Sequence, residues 1–196
     1  MKVYLIRHGE TEYNLAHRCQ GWCDVDLTET GVSQAKALKE RIGNFKFDRI
    51  ISSDLYRTRH TASIIFGDDP KIEFDSRVRE VNNTVITGQY VDDLLEHYGE
   101  HYDYARHHFD YSYFGGESET QFCGRTGDFL RSLESDKTSE RIAVVTHGGA
   151  ICAMCSVVEK RPNISLSIKN CSVTVLDFDG EKWSIESLNN TTSDIF

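Results

Sequence analysis

Two short apolar runs, Val3 to Ile6 and Ile142 to Val145, each stop abruptly at a histidine followed by glycine. The first ends in Arg7-His8-Gly9 and the second in Thr146-His147-Gly148-Gly149. Continuous apolar runs of this length, closed by a polar cluster, read as buried strands that deliver their last residues to a site. Helical patterns lie between them. Thr28-Glu29-Thr30-Gly31 opens a helix that carries Val32, Ala35, Leu38 and Ile42 at roughly helical spacing. Arg49-Ile50-Ile51 reads as another strand running into Ser52-Ser53-Asp54, followed by a helix from about 55 to 66, with Pro70 in the connection behind it. Phe122, Thr126, Phe129, Leu130 and Leu133 form one stripe of a longer helix. Val173 to Phe178 and Trp183 to Leu188 flank Asp179-Gly180, a hairpin signal. Strands alternating with helices and closed by one hairpin predict an α/β fold, a three-layer α/β/α sandwich on a mostly parallel sheet.

The 196 residues suit one domain, 1–196, large enough to bury a core without disulfide or metal staples. Acidic side chains outnumber basic ones by 31 to 22, a formal net charge of −9, so nucleic acid and anionic membrane surfaces would be approached against a repulsive field. The N-terminus enters a strand rather than a signal peptide, which places the expected location in the cytoplasm. Six cysteines (Cys19, Cys23, Cys123, Cys152, Cys155, Cys171) are then expected as reduced, mostly buried thiols. The Cys152-Ala-Met-Cys155 pair has redox or zinc spacing, but it lies in an apolar helix-like run with no second pair nearby. The stretch from 89 to 114 is different in kind. It is rich in tyrosine and histidine and predicts one or two short helices, an insertion capping the strand ends. Within it, His97 and His101 have the spacing of a shared helical metal site, with His107-His108 behind them. The surrounding tyrosines suit a substrate cap equally well, and the expected metal content is none.

Ligands bind at the carboxyl ends of parallel strands, which is where His8 and His147 are expected. A neutral imidazole fixed among arginines is a poor general acid but a good nucleophile toward phosphorus, and Arg7 would neutralise the phosphoryl oxygens that otherwise repel it. Arg57 falls in the first turn of a helix, where backbone N–H groups also favour an anion. From spacing alone, it could equally be a solvated arginine paired with Asp54 or Asp75.

The run Leu5-Ile6-Arg7-His8-Gly9-Glu10-Thr11-Glu12-Tyr13-Asn14 resembles the signature of the histidine phosphatase superfamily, in its phosphoglycerate mutase-like branch. The resemblance continues in family order through Gln20-Gly21, Asp26 to Gly31 with Gln34-Ala35, Ser52 to Arg57 with Thr61-Ala62, Arg79-Glu80, Gly116-Glu117-Ser118 and Val145 to Gly149. It implies a phosphoglycerate mutase-like fold and a histidine acid-type phosphatase, a phosphoric monoester hydrolase. By the same resemblance, His8 becomes phosphohistidine, and Arg7, Arg57 and His147 complete the basic pocket. Glu80 protonates the leaving oxygen and then activates water. Asn14, Gln20, Gly21 and Gly148 line the phosphate or substrate mouth, with Glu117 and Ser118 at its edge. No cofactor is implied, because the arginines fill the electrostatic role of a magnesium ion.

Two departures concern the substrate. Val81 to Thr87 replaces the glycine and Trp-Glu-Gly block common after Arg79-Glu80, and Asp54 stands where proline is usual. The expected substrate is a small phosphorylated metabolite, hydrolysed without metal. A cofactor-dependent phosphoglycerate mutase is the alternative enzyme. Its arginine-rich insertion would correspond to the cap, where only Arg106 is basic beside histidines. A non-catalytic phospho-ligand module is the third reading, and a homodimer is left open.

Overall fold

Neighbouring residues of the first strand, β1 (Lys2–Arg7), point into two different cores. Val3 and Leu5 pack with Ile142, Val144, Phe129 and Ile151, while Tyr4 and Ile6 pack with Ala143, Val145, Leu38 and Ala62. Side chains alternate across a strand, so the sheet must carry an apolar layer on each face. This is the three-layer α/β/α arrangement expected from the sequence. The computed structural model describes residues 1–67, 71–162 and 164–196, so Pro70 lies outside the described residues.

After β1 come α1 (Glu12–Leu15), α2 (Glu29–Ile42), β2 (Arg49–Ser52), α3 (Tyr56–Phe66) and β3 (Ile72–Phe74). Then follow α4 (Val91–Tyr98), α5 (Glu100–His108), α6 (Glu119–Leu133), β4 (Arg141–Thr146), α7 (Gly148–Glu159), β5 (Val173–Phe178) and β6 (Trp183–Asn190). The described residues form one six-stranded sheet in the order β3-β2-β4-β1-β5-β6. Its pairs are parallel from β3 to β1, and β5 is antiparallel to both β1 and β6. Helices α2 and α3 cover one face, and α6 and α7 cover the other. The chain therefore leaves β1 toward one face and leaves the adjacent β4 toward the other. This opens a crevice at their carboxyl ends, the usual ligand position in open α/β sheets.

Register aligns the two histidines. Arg7 pairs with Thr146 at the ends of β1 and β4, and the His8 N–H donates to the Thr146 carbonyl at 3.0 Å. His8 and His147 therefore leave the sheet side by side.

Two of the longer helices start at capping residues. Thr28 caps α2 by accepting from the Gly31 N–H, and Ser118 forms a capping box with Gln121 at α6. The third strand, three edge residues long, went unanticipated because it is too short to show a period. The 89–114 stretch forms two helices, and Leu94, Tyr102, Ala105 and Phe114 anchor them to the α6/α7 core. Gly99, at φ +48°, separates the helices. This corrects the reading of His97 and His101 as helical neighbours. His97 sits on α4 with Nδ1 at the Asp93 carbonyl, whereas His101 sits on α5 and stacks on Tyr113. The six cysteines are free thiols, and burial pushes those of Cys152 and Cys155, inside α7, up to about 11 and about 12. Among the described residues no helix is long and apolar enough to cross a membrane.

Candidate active site

His8 is almost fully buried, and its Nδ1 lies 2.7 Å from the Gly9 carbonyl oxygen. A carbonyl can only accept, so Nδ1 carries the proton and Nε2 keeps its lone pair. The local backbone is fixed as well: the Gly9 N–H donates to Thr61 Oγ1 at 3.1 Å, and Asn170 donates to the His8 carbonyl at 2.9 Å. A Cβ on Gly9 would lie 2.5 Å from the Gly31 carbonyl, so glycine is required there by the close approach of α2. The His147 ring stands 5.3 Å from that of His8, centroid to centroid, and is completely buried. Burial, followed by the guanidinium of Arg57, holds both imidazoles well below their ordinary pKa of 6.5. They are neutral at physiological pH.

Arg57 lies in the first turn of α3 and is fully buried. It donates through Nη1 to the Cys23 carbonyl at 2.9 Å, through Nη2 to the Gly21 carbonyl at 2.8 Å, and through Nε to His147 Nδ1 at 3.2 Å. Burial lowers its pKa to about 10, which leaves it charged near neutrality. Neither carboxylate that the spacing offered it is its partner: Asp54 grips Arg79 at 2.6 and 2.5 Å, and Asp75 binds Arg77. The Asp54–Arg79 pair also gives a structural role to the aspartate that stands in place of proline.

Arg7 donates through Nη1 to the Ile168 carbonyl. Its Nε is buried and has no hydrogen-bond partner among the described residues. A buried, unpaired guanidinium N–H is costly unless a ligand satisfies it. Gly148, the first residue of α7, brings the backbone close here, since a Cβ on it would lie 3.4 Å from Arg7 Nε. The Glu80 carboxylate sits at the same helix start, accepting from the N–H of Gly149 at 3.1 Å and of Val81 at 3.0 Å. His8, His147, Arg7, Arg57 and Glu80 thus converge where β1 and β4 end. The cluster combines a free imidazole lone pair, two guanidinium groups and one carboxylate.

The remaining sequence candidates surround this cluster. Gly21, at φ +47°, turns its carbonyl to Arg57, and a Cβ there would meet Asn83 Oδ1 at 1.9 Å. Asn14 closes the capping box of α1, and its Oδ1 is 3.4 Å from Asn170 Nδ2. Thr11 Oγ1 lies 2.9 Å from Gln20 Oε1 and 3.1 Å from Asn14 Oδ1. Ser118 caps α6, and Glu117 pairs with Arg125 through both oxygens, which ties them to the scaffold behind Glu80. Four residues outside the sequence candidates also shape the site. Ser53 Oγ is 2.9 Å from His147 Nε2, and Trp22 donates to the Glu80 carbonyl at 2.6 Å. Asn170 braces His8, and Arg125 braces the Glu80 segment. Ser53 could have been found by the strand-end rule applied to β2. No sequence signal pointed to Arg125 or Asn170.

This geometry agrees with what comparisons with known proteins find. The profile of the histidine phosphatase superfamily (branch 1) matches residues 3–191. A protein of Salmonella paratyphi A named "Probable phosphoglycerate mutase GpmB" is 35% identical over 190 residues, 93% of this chain and 87% of its own. Among solved structures, Bacillus stearothermophilus YhfR superposes with a TM-score of 0.88 at 26% identity, covering 98% of each chain. A mycobacterial glucosyl-3-phosphoglycerate phosphatase, solved with VO3, gives 0.86 at 27%, covering 97% of this chain and 99% of its own. With its two strand-end histidines and paired arginines in a match that spans nearly every residue, the chain belongs to branch 1 of the histidine phosphatase superfamily.

Proposed function

We propose that this protein is a metal-independent phosphomonoester hydrolase that forms a phosphohistidine on His8 and acts on a small phosphorylated metabolite. The observation that carries the reading is the hydrogen bond from His8 Nδ1 to the Gly9 carbonyl at 2.7 Å, which leaves Nε2 as a free nucleophile beside Arg7 and Arg57. In the first step Nε2 attacks phosphorus, the bond from phosphorus to the ester oxygen breaks, and Glu80 delivers a proton to that oxygen. In the second step a water attacks the phosphohistidine, Glu80 takes the water's proton, and inorganic phosphate leaves as His8 is regenerated. The two arginines, charged near neutrality, neutralise the equatorial oxygens throughout, which is the main electrostatic need of phosphoryl transfer. The unpartnered Arg7 Nε supplies a donor for one of those oxygens.

The mutase reading is supported by the name that the Salmonella relative carries. The cap favours hydrolysis instead. Its one arginine, Arg106, pairs with Asp103 at 2.7 Å on the same helix and no lysine accompanies it, so the cap brings little positive charge for a second phosphate or carboxylate. Rapid quench with a competent substrate should trap an acid-labile, alkali-stable phosphoenzyme that is absent in His8→Ala. Wild-type turnover without such an intermediate overturns the proposal. In 3-phosphoglycerate supplemented with 2,3-bisphosphoglycerate, isomerisation faster than phosphate release would favour the mutase. Turnover unchanged by EDTA is expected, and loss of turnover in EDTA would count against metal independence.

A further inference from the structure

The segment that delivers Glu80 has almost no regular structure of its own, yet side chains from elsewhere in the fold bind its backbone. Residues 80–83 belong to neither helix nor strand. Backbone groups in such a segment must find partners elsewhere. Arg125, projecting from α6, supplies one at Glu80 and also holds the two carbonyls that lead into it. Its Nη1 donates to the carbonyls of Arg77 at 2.9 Å and Arg79 at 3.0 Å, and its Nη2 donates to the Glu80 carbonyl at 3.2 Å. The other two N–H groups go to Glu117, from Nε to Oε1 at 2.9 Å and from Nη2 to Oε2 at 2.7 Å. All five guanidinium donors are therefore used, and the planar fork fixes three carbonyls and one carboxylate in a single rigid geometry.

Glu117 completes the arrangement. Its Oε2 also accepts from the Asn82 N–H at 2.8 Å, and the Glu117 N–H donates to the Asn82 carbonyl at 2.8 Å. The neighbouring Gly116 makes this approach possible, since a Cβ on it would lie 2.3 Å from the Asn82 carbonyl oxygen. Trp22 donates to the same Glu80 carbonyl, and the Arg125 guanidinium lies 5.9 Å from the Trp22 ring centroid. Both side chains of the Arg125–Glu117 pair are mostly shielded from water, with 16% of each exposed, so the ion pair is only weakly screened.

We infer that Arg125, locked by Glu117, is the positioning residue that holds Glu80 at the N-terminus of α7 in the orientation needed for proton transfer. This rests on the reading of Glu80 as the acid and base, and it moves Glu117 from the edge of the substrate mouth to the support behind that acid. Without the clamp the Glu80 backbone keeps Trp22 as its side-chain donor, and the carboxylate loses a fixed approach to the leaving oxygen. The His8 nucleophile does not touch the clamp, so phosphorylation by substrates with good leaving groups should be far less sensitive to it.

The test compares an aryl ester, p-nitrophenyl phosphate, with an alkyl ester that the wild type hydrolyses, in Arg125→Lys, Glu117→Gln, Glu80→Gln and the Arg125→Lys/Glu80→Gln double variant. Lysine keeps the charge but cannot reproduce the fork. Arg125→Lys should lower kcat/KM, which reports the phosphorylation step, about tenfold more on the alkyl ester than on the aryl ester. In the Glu80→Gln background the same change should add less than about twofold on the alkyl ester, because a residue acting through Glu80 has nothing left to position. Equal losses on both esters, or a loss that multiplies undiminished in the double variant, overturn the inference. If Arg125→Lys fails to fold, Glu117→Gln decides by the same ratio. If Glu80→Gln alone is indifferent to the leaving group, the acid assignment of Glu80 fails and the inference falls with it. Discrimination by Glu80→Gln without discrimination by the clamp variants removes the inference alone.

Discussion

The Nε–H of Arg57 meets Nδ1 of His147 at 3.2 Å. An arginine Nε can only donate, so His147 Nδ1 must accept and its proton must sit on Nε2, facing Ser53 Oγ at 2.9 Å. One hydrogen bond thereby sets the tautomer, the neutrality and the orientation of the second histidine. In His8 the opposite nitrogen carries the proton. The two rings are thus complementary: one keeps a lone pair on Nε2, and the other offers an Nε2–H to its surroundings.

That arrangement predicts how stability depends on pH. Both histidines are held well below 6.5 in the folded protein, so an unfolded chain takes up protons that the folded chain refuses as pH falls below about 6.5. Stability from these two groups is fully present above that value and is lost on acidification, at up to about 1.4 kcal/mol per pH unit for each group that stays neutral. Urea unfolding between about pH 5 and 7 should show this slope. His147→Asn should flatten it by about one group's share; an unchanged slope would mean that His147 titrates normally.

Arg57→Lys should damage both activity and fold. It leaves the Gly21 and Cys23 carbonyls and His147 Nδ1 short of donors in a buried setting, at a cost of about 1–3 kcal/mol. Loss of the fork on the phosphoryl group should lower kcat/KM by about 10²-fold or more. Urea unfolding and steady-state kinetics on p-nitrophenyl phosphate check the two parts separately. A variant with near-normal kcat/KM would remove Arg57 from the phosphate pocket.

Gly149→Ala should disable the acid without unfolding the protein. The new methyl would lie 2.2 Å from Glu80 Oε1 and 3.1 Å from the Phe109 ring, and the carboxylate is the movable partner. The kcat/KM for an alkyl phosphate should fall by about 10²-fold, with a much smaller effect on that for an aryl phosphate. Circular dichroism and thermal unfolding establish that the fold is intact. Equal losses on both substrates would place the damage elsewhere than at Glu80.

The cap tyrosines divide into two groups. Tyr102 is buried against Phe114 with its hydroxyl 2.9 Å from Cys19 Sγ, and Tyr111 is buried as well, whereas Tyr104 and Tyr113 are exposed and stack on His108 and His101. Tyr102→Ala should cost about 3–5 kcal/mol, in the range of large aromatic truncations. Tyr104→Ala and Tyr113→Ala should leave stability within about 0.5 kcal/mol. If the exposed face selects substrates, they should also reorder activity across a panel of phosphate esters. An unchanged ranking would move specificity off that face.

Much of the sheet was legible because its signals are local. Ile142 to Val145 and Val3 to Ile6 are continuous apolar runs, and the Asp179-Gly180 turn between β5 and β6 is marked by its own residues. The break between α4 and α5 was not legible. Gly99 in a helical pattern can be absorbed or can end the helix, and packing of Leu94 and Tyr102 into the core decides which. The edge strand β3 escaped for a related reason, since three residues cannot display a period and take their conformation from the backbone of β2.

The amino-acid sequence by itself determined the class of fold, the identity of the family and the two strand ends where the candidate site lies. Short-range pattern and motif are enough for that, because strand, cap and turn preferences act over a few residues. Only the tertiary structure decided which nitrogen of each histidine carries the proton. It alone showed that Arg57 faces His147 instead of Asp54, and that Glu117 pairs with Arg125 behind Glu80. Those relationships join residues far apart along the chain, 90 positions in the case of Arg57 and His147, and depend on donor and acceptor geometry of a few tenths of an ångström. Such geometry exists only after the sheet register and helix packing have brought the partners together.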